Sequence, residues 1–231
     1  MEHPGDIAGS TPRAVLWDMD GTLLDSAEYH WLAWQTILAA ERYDLTYEQF
    51  VATFGQRNDT ILRDWLGADL PASEVVRIGG AKEARYRELV RERGVSLLPG
   101  VDRWLNRLKR DGWKQAIASA APLLNIETIL DVLGIAPFFD AVTSSEDVQR
   151  GKPDPQVYLV AAERVGAAPA RCVVVEDAPA GIEGARRGGM RAIGVRSSHA
   201  GLEGDIVVDT LAELPDDAFD RLMGDAGRQR A

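Results

Sequence analysis

The sequence predicts an α/β protein: a doubly wound parallel sheet interrupted by one helical insertion. Three observations carry that prediction. Short apolar runs of strand length alternate with helical patterns over most of the chain. Several of those runs are almost wholly apolar, as strands covered on both faces must be. A stretch of about seventy residues, 26–95, breaks the rhythm with helical patterns and no convincing strand.

Taken in order, the expected strands are Ala14–Trp17, Gln115–Ala118, Ala141–Thr143, Cys172–Val175, Ala192–Val195 and Ile206–Val208. Between them, Val101, Trp104, Leu105 and Leu108 recur at helical spacing and Gly112 stops the pattern. Ile126, Ile129, Leu130 and Leu133 repeat it and end at Gly134. A third helix is expected over about 156–165, ending at Gly166, and a last one, fraying, follows Phe219. Inside the insertion, Trp31, Trp34 and Leu38 mark one apolar face, Phe50, Phe54, Ile61 and Leu62 suggest others, and Ala81–Arg93 reads as a highly charged helix. The expected division is a catalytic core of residues 13–25 and 96–231 with a helical cap of residues 26–95.

Composition excludes several classes of protein. With 45% hydrophobic and 27% charged residues the chain is an ordinary globule, and no apolar run is long enough to span a membrane. Met1–Pro12 lacks the basic start and apolar stretch of a signal peptide and reads as a frayed tail. The single cysteine, Cys172, rules out an internal disulfide and fits a reducing, cytoplasmic setting. A net charge of −10 opposes nucleic-acid binding but tolerates a small phosphorylated ligand, because a bound cation inverts the local field. His3, His30 and His199 are scattered, against a zinc site.

Four polar signals stand at expected strand ends, where open parallel sheets bind ligands. Asp18-Met19-Asp20-Gly21-Thr22 follows the first strand, and its two carboxylates can face one pocket as the strand turns. An ordinary Asp-Gly turn is the simpler reading. A calcium loop fails, because the position of its glycine is Leu23 and that of its last glutamate is Tyr29. Ser119-Ala120-Ala121 offers a hydroxyl, or merely a tight loop. Gly151-Lys152-Pro153-Asp154-Pro155 holds one lysine in a stiff loop, or a solvated turn. Glu176-Asp177 pairs two acids after a buried strand, which needs a compensating cation; alternatively Asp177 caps the helix that follows. Together these groups are the parts that phosphoryl transfer requires.

In the order and spacing of these four motifs the chain resembles the haloacid dehalogenase-like superfamily, in its branch of β-phosphoglucomutases and small sugar-phosphate phosphatases. The resemblance runs from about Arg13 to Val208. It implies a Rossmann-like core with a cap over the active site, Asp18 as nucleophile and Asp20 as general acid and base. It also implies that Ser119 and Lys152 hold the phosphoryl group, with Ala120 beside them. Mg²⁺ would sit on Asp18, the Asp20 main chain and Asp177, with Glu176 close by. The same branch suggests substrate-binding roles for His30, Arg57 and Lys82, although each also reads as an ordinary hinge, surface or helix residue. Asp20 argues against a dehalogenase. Ala121 and Leu123 replace the second hydroxyl and the amide of the mutase pattern, unless Asn125 substitutes for them. The expectation is therefore a monomeric phosphatase acting on a small phosphorylated metabolite, with a β-phosphoglucomutase as the alternative. A phospho-receiver signalling module is disfavoured by the long insertion and by the Asp-x-Asp spacing.

Overall fold

The computed structural model describes residues 12–54 and 56–224. The tail expected over Met1–Pro12 lies, Pro12 apart, outside the described residues, as does the chain beyond Gly224. Six strands, β1 (Ala14–Trp17), β2 (Lys114–Ala118), β3 (Ala141–Thr143), β4 (Cys172–Glu176), β5 (Arg191–Val195) and β6 (Ile206–Val208), form one sheet in the order β3-β2-β1-β4-β5-β6. Every neighbouring pair is parallel. Strand order reverses at β1, and residues 18, 119 and 176–177 emerge there at one level. Their alignment follows from the register, in which Trp17 lies between Ile117 and Val175.

The helices are α1 (Ala27–Ala40), α2 (Tyr47–Thr53), α3 (Asn58–Leu66), α4 (Ala72–Arg93), α5 (Val101–Arg110), α6 (Leu123–Leu133), α7 (Gln156–Arg164), α8 (Pro179–Arg187) and α9 (Ala218–Leu222). Side chains alternate along β1 between the two faces of the sheet. Val15 and Trp17 join a cluster with Trp104 and Leu105 of α5, Ile126 and Ile129 of α6 and Phe219 of α9. Ala14 and Leu16 face the other way, against Val157, Tyr158 and Ala161 of α7 and Ala185 of α8. Helices thus cover both faces, as continuously apolar strands require.

Between β1 and β2 stand α1–α4, with an apolar cluster of their own built on Trp34, Leu38, Phe50, Leu62, Trp65 and Ile78. Local chemistry starts α2: Thr46 and Gln49 form a reciprocal capping box. The fourth helix begins nine residues before the expected Ala81, running straight through Gly79-Gly80. The glycines read as breakers in isolation. In the fold Gly79 faces Asn58 and Leu62 of α3, so packing overrides propensity. This long helix also crosses between clusters: Val75 and Ile78 belong to the inserted helices, whereas Tyr86, Leu89 and Val90 belong to the core of the sheet. Among the described residues, no helix is long and apolar enough to cross a membrane.

Candidate active site

The carboxyl ends of β1, β2 and β4 place Asp18, Ser119, Glu176 and Asp177 together, all buried. The loop before α7 adds Lys152. Its ammonium donates to Asp18 Oδ1 at 2.5 Å and to Glu176 Oε2 at 2.7 Å. Tyr158 of α7 donates its hydroxyl to the same Glu176 oxygen at 2.8 Å, and the Ala178 amide donates to Oε1 at 3.0 Å. Both oxygens of Glu176 are therefore engaged. Helix α8 opens at Pro179 with Ala178 in the capping position and no side-chain cap, so Asp177 does not cap it. Asp177 instead accepts a hydrogen bond from Ser198, and its carbonyl lies 3.2 Å from His199 Nδ1. Gly21, at φ +81°, lets the loop after β1 lie directly on the Asp177 carboxylate, where a Cβ would overlap it.

Three buried carboxylates against one ammonium leave an excess of negative charge. Burial, then Glu176, pushes the Asp18 carboxyl well above the ordinary carboxylate range. The same two causes push Asp177 up to about 7. Burial alone would lower the Lys152 ammonium, but Asp18 and Glu176 outweigh it and hold the proton on. Carboxylate oxygens of Asp18, Glu176 and Asp177 lie within 4.8 Å of one another. That oxygen-only donor set with uncompensated charge fits a hard divalent cation.

Asp20 turns away from this cluster. Its carboxylate accepts from the Ser26 hydroxyl, and Oδ1 lies 3.5 Å from His30 Nε2. Burial pushes its pKa up, but His30, Ser26 and Lys82 together bring it below the ordinary range, so it stands ionised at neutral pH. Neighbouring Lys82 is buried rather than one of the exposed charges of α4. Its Nζ sits 2.8 Å from His30 Nδ1 and 2.8 Å from Glu83 Oε1. Ring stacking of His30 on Tyr86, with centroids 4.0 Å apart, fixes the imidazole plane. Arg57 reaches across the gap between the inserted helices and the sheet, its aliphatic stem against Gly151. With Ser119, Ala120, Ser145 and Lys152 it lines a small cleft beside Asp18. A larger cavity of about 420 Å³ lies between α2 and loop 197–199 and meets the site at Gly21, Thr22, Ser198 and His199.

Every site residue expected from sequence therefore falls at or next to one gap. Sequence reasoning missed Ser26, Glu83, Tyr158 and Ser198, which carry no local motif and reach the site only through the fold. Asn125, considered as a possible phosphate ligand, is fully buried and otherwise employed. Its amide donates to Glu83 Oε2 at 2.5 Å and its carbonyl accepts from Arg87 at 2.8 Å. Cys172 is buried in β4, and burial pushes its thiol up to about 12, so it remains a thiol at neutral pH.

An aspartate at the switch point of a doubly wound sheet, backed by a lysine and paired acids, defines an enzyme with a carboxylate-centred active site. The family model for haloacid dehalogenase-like hydrolases matches residues 12–189, and the chain belongs to that family. It is similar to a β-phosphoglucomutase of Bacillus subtilis, 33% identical over 219 residues that cover 87% of this chain and 91% of that one. It is also similar to hexitol phosphatase A of Escherichia coli, 33% identical over 193 residues covering 80% of this chain and 83% of that one. Among solved structures, a β-phosphoglucomutase from Clostridium difficile superposes with a TM-score of 0.83 at 25% identity, covering 92% of this chain and 97% of that one.

Proposed function

We propose that the chain is a Mg²⁺-dependent phosphatase that hydrolyses a small phosphorylated metabolite, of the sugar-phosphate kind, with Asp18 as nucleophile. The observation that supports this best is the contact of Lys152 with both Asp18 and Glu176 beside a cleft that also holds Ser119 and Arg57. In this reading the cleft receives the phosphoryl group. Lys152 and the Ser119 hydroxyl hold its oxygens while Asp18 attacks phosphorus and the ester oxygen leaves. Asp18 and Asp177 would hold the cation, with Glu176 anchoring Lys152 from behind. The bound cation neutralises the carboxylates and the phosphate, so that an anionic nucleophile can approach an anionic ester. The helices of residues 26–95 act as the cap, closing over the cleft and excluding water.

Asp20 supplies both proton steps. An incoming phosphate dianion raises the proton affinity of the adjacent carboxylate, favouring the form that protonates the leaving oxygen. Once the leaving alcohol departs, ionised Asp20 accepts a proton from the water that attacks the aspartyl-phosphate.

Asn125 favours hydrolysis over mutase chemistry. Both ends of its side chain are occupied by α4, and Ala121 and Leu123 offer no side-chain donor for a second phosphate. Arg57 at the cleft supports the alternative, a β-phosphoglucomutase, since a cap arginine there can grip a non-reacting phosphate. A phosphorus-NMR time course with Mg²⁺, β-glucose 1-phosphate and a trace of the 1,6-bisphosphate separates the two. Steady release of inorganic phosphate supports the phosphatase. Conversion to glucose 6-phosphate with little free phosphate replaces it with the mutase.

A further inference from the structure

We infer that Glu83 is a positioning residue for Asp20, acting through Lys82 and His30, and that Asn125 makes this positioning depend on the contact between α4 and α6. The inference rests on the reading of Asp20 as the proton-transferring group.

The Glu83 carboxylate is buried where α4 meets α6. Oε1 accepts from Asn58 of α3 at 2.7 Å and from Lys82 at 2.8 Å, and Oε2 accepts from Asn125 of α6 at 2.5 Å. Donors therefore reach it from two inserted helices and from one helix of the sheet core. Four residues on, Arg87 donates to Asn125 Oδ1, and four further, Arg91 donates to Thr128 of α6 at 3.0 Å. Glu83, Arg87 and Arg91 thus form one stripe of α4 along the face of α6.

The consequence lies at the other end of Lys82. An ammonium group donates and never accepts, so at 2.8 Å His30 Nδ1 must be the acceptor and the ring carries its proton on Nε2, the nitrogen facing Asp20. Lys82 is held in that pose by Glu83 on one side and by the faces of Trp34 and Tyr86, at 5.1 and 5.7 Å, on the other. Without the Glu83 carboxylate a buried ammonium loses its counter-charge and withdraws from that pose. Nδ1 then loses its donor, the tautomer is no longer imposed, and Asp20 loses an oriented N–H. From α4, Lys82 reaches Asp20 through its charge, whereas the oriented N–H comes from the imidazole, so the loss of orientation passes through His30.

The test uses the full chain with Mg²⁺ and needs no known substrate for its first half. Long-range ¹H–¹⁵N spectra of histidine-labelled protein resolve three imidazoles, with His30 assigned through His30→Gln. Wild type should show His30 as the Nε2–H tautomer, and Glu83→Ala and Glu83→Gln a mixture, since each removes the counter-charge of Lys82 and the glutamine also turns an amide nitrogen toward the Asn125 amide. Asn125→Asp places two carboxylates in contact and should also give the mixture. The double variant Glu83→Gln with Asn125→Asp restores a donor–acceptor pair and should recover the wild-type spectrum, which also answers any concern that the single variants misfold.

The second half compares esters. Glu83→Ala should lower kcat at least about 10-fold on β-glucose 1-phosphate, whose alkoxide must be protonated. On p-nitrophenyl phosphate, whose phenolate leaves unaided, the loss should stay under about 3-fold. An unchanged His30 tautomer in Glu83→Ala, or equal losses on both esters, overturns the inference. A wild-type spectrum in Asn125→Asp removes Asn125 from it. If wild type hydrolyses neither ester, the phosphatase reading fails for these substrates, and the tautomer decides the role of Glu83 alone.

Discussion

The sheet and the inserted helices contribute to one site by different physics. From the sheet come Asp18, Ser119, Glu176 and Asp177, whose positions are set by strand register within a rung or two of the switch point. Each is anchored by backbone on both sides, as when the Asp18 amide bonds the Val175 carbonyl at 3.0 Å and the Ser119 amide that of Thr143 at 3.0 Å. The inserted helices instead deliver His30 and Lys82 from helical faces, through side-chain contacts that pass from Asp20 to Glu83 and onward to α6, and Arg57 from the turn before α3. A group fixed by strand register is rigid at the cost of being fixed for good. One held by a chain of side-chain bonds is in place only while every link is made. In the phosphoryl transfer proposed above, that contrast would suit the labour: the nucleophile would wait in place, and the groups around the leaving oxygen would assemble as the gap closes.

Substitutions on the sheet side should have the largest effects, and they sharpen the contrast. Asp18→Asn removes the proposed nucleophile and should reduce turnover of any accepted ester by about 10⁴-fold or more, while a circular-dichroism melt shows the fold retained. Retained turnover in a clean preparation would sink the mechanism. Lys152→Met strips the buried acids of their ammonium and should cost roughly 3–5 kcal/mol in urea unfolding without Mg²⁺, with part recovered on adding it. A loss unaffected by Mg²⁺ would mean that the acids do not share the cation with Lys152.

On the side of the helices, Leu38→Ala opens the separate apolar cluster and should cost about 3 kcal/mol. Hydrogen exchange should rise in α1–α3 well before β1 and β4 lose protection. Uniform loss of protection would break the comparison and make the two regions one cooperative unit.

The smallest expected effect is a matter of pH. Asp177 has a folded pKa of about 7 against an ordinary 3.8, so between these values the folded chain binds the proton that the unfolded chain has lost. Stability of the Mg²⁺-free protein should therefore fall as pH rises from about 4 through about 7, by roughly 1–3 kcal/mol at this group. Asp177→Asn should flatten that slope and raise the melting temperature at pH 8 in the absence of Mg²⁺. An equally steep slope in the variant would place the perturbed carboxyl elsewhere, Asp18 being the first alternative.

Much of the architecture was legible because its signals are local. Apolar runs marked all six strands to within a residue or two, and helical spacing located α5, α6 and α7. The start of α4 was missed because Gly79-Gly80 breaks a helix in solution, whereas here α3 packs against Gly79. Asp18, Ser119, Lys152 and Asp177 were legible for a related reason: each stands at a strand end or in a stiff loop, so its place in the chain nearly determines its place in the fold.

The sequence by itself determined the class of fold and the four groups expected at its strand ends, because strand period, turn chemistry and motif spacing act over a few residues; the strand order, with its reversal at β1, came from the structure. Tertiary structure alone decided which surface-looking charges are interior. Glu83 reads as one more charge on a polar helix, and Lys82 as either that or a substrate-binding lysine. Glu83 is buried where α4 lies against α6, 42 residues further along the chain at Asn125, and Lys82 among His30, Trp34 and Tyr86. Whether Asn125 faced the cleft or α4 turned on that same contact, which no local pattern encodes. Burial is a property of what packs against a residue, and for side chains on helices that partner is chosen by the fold as a whole.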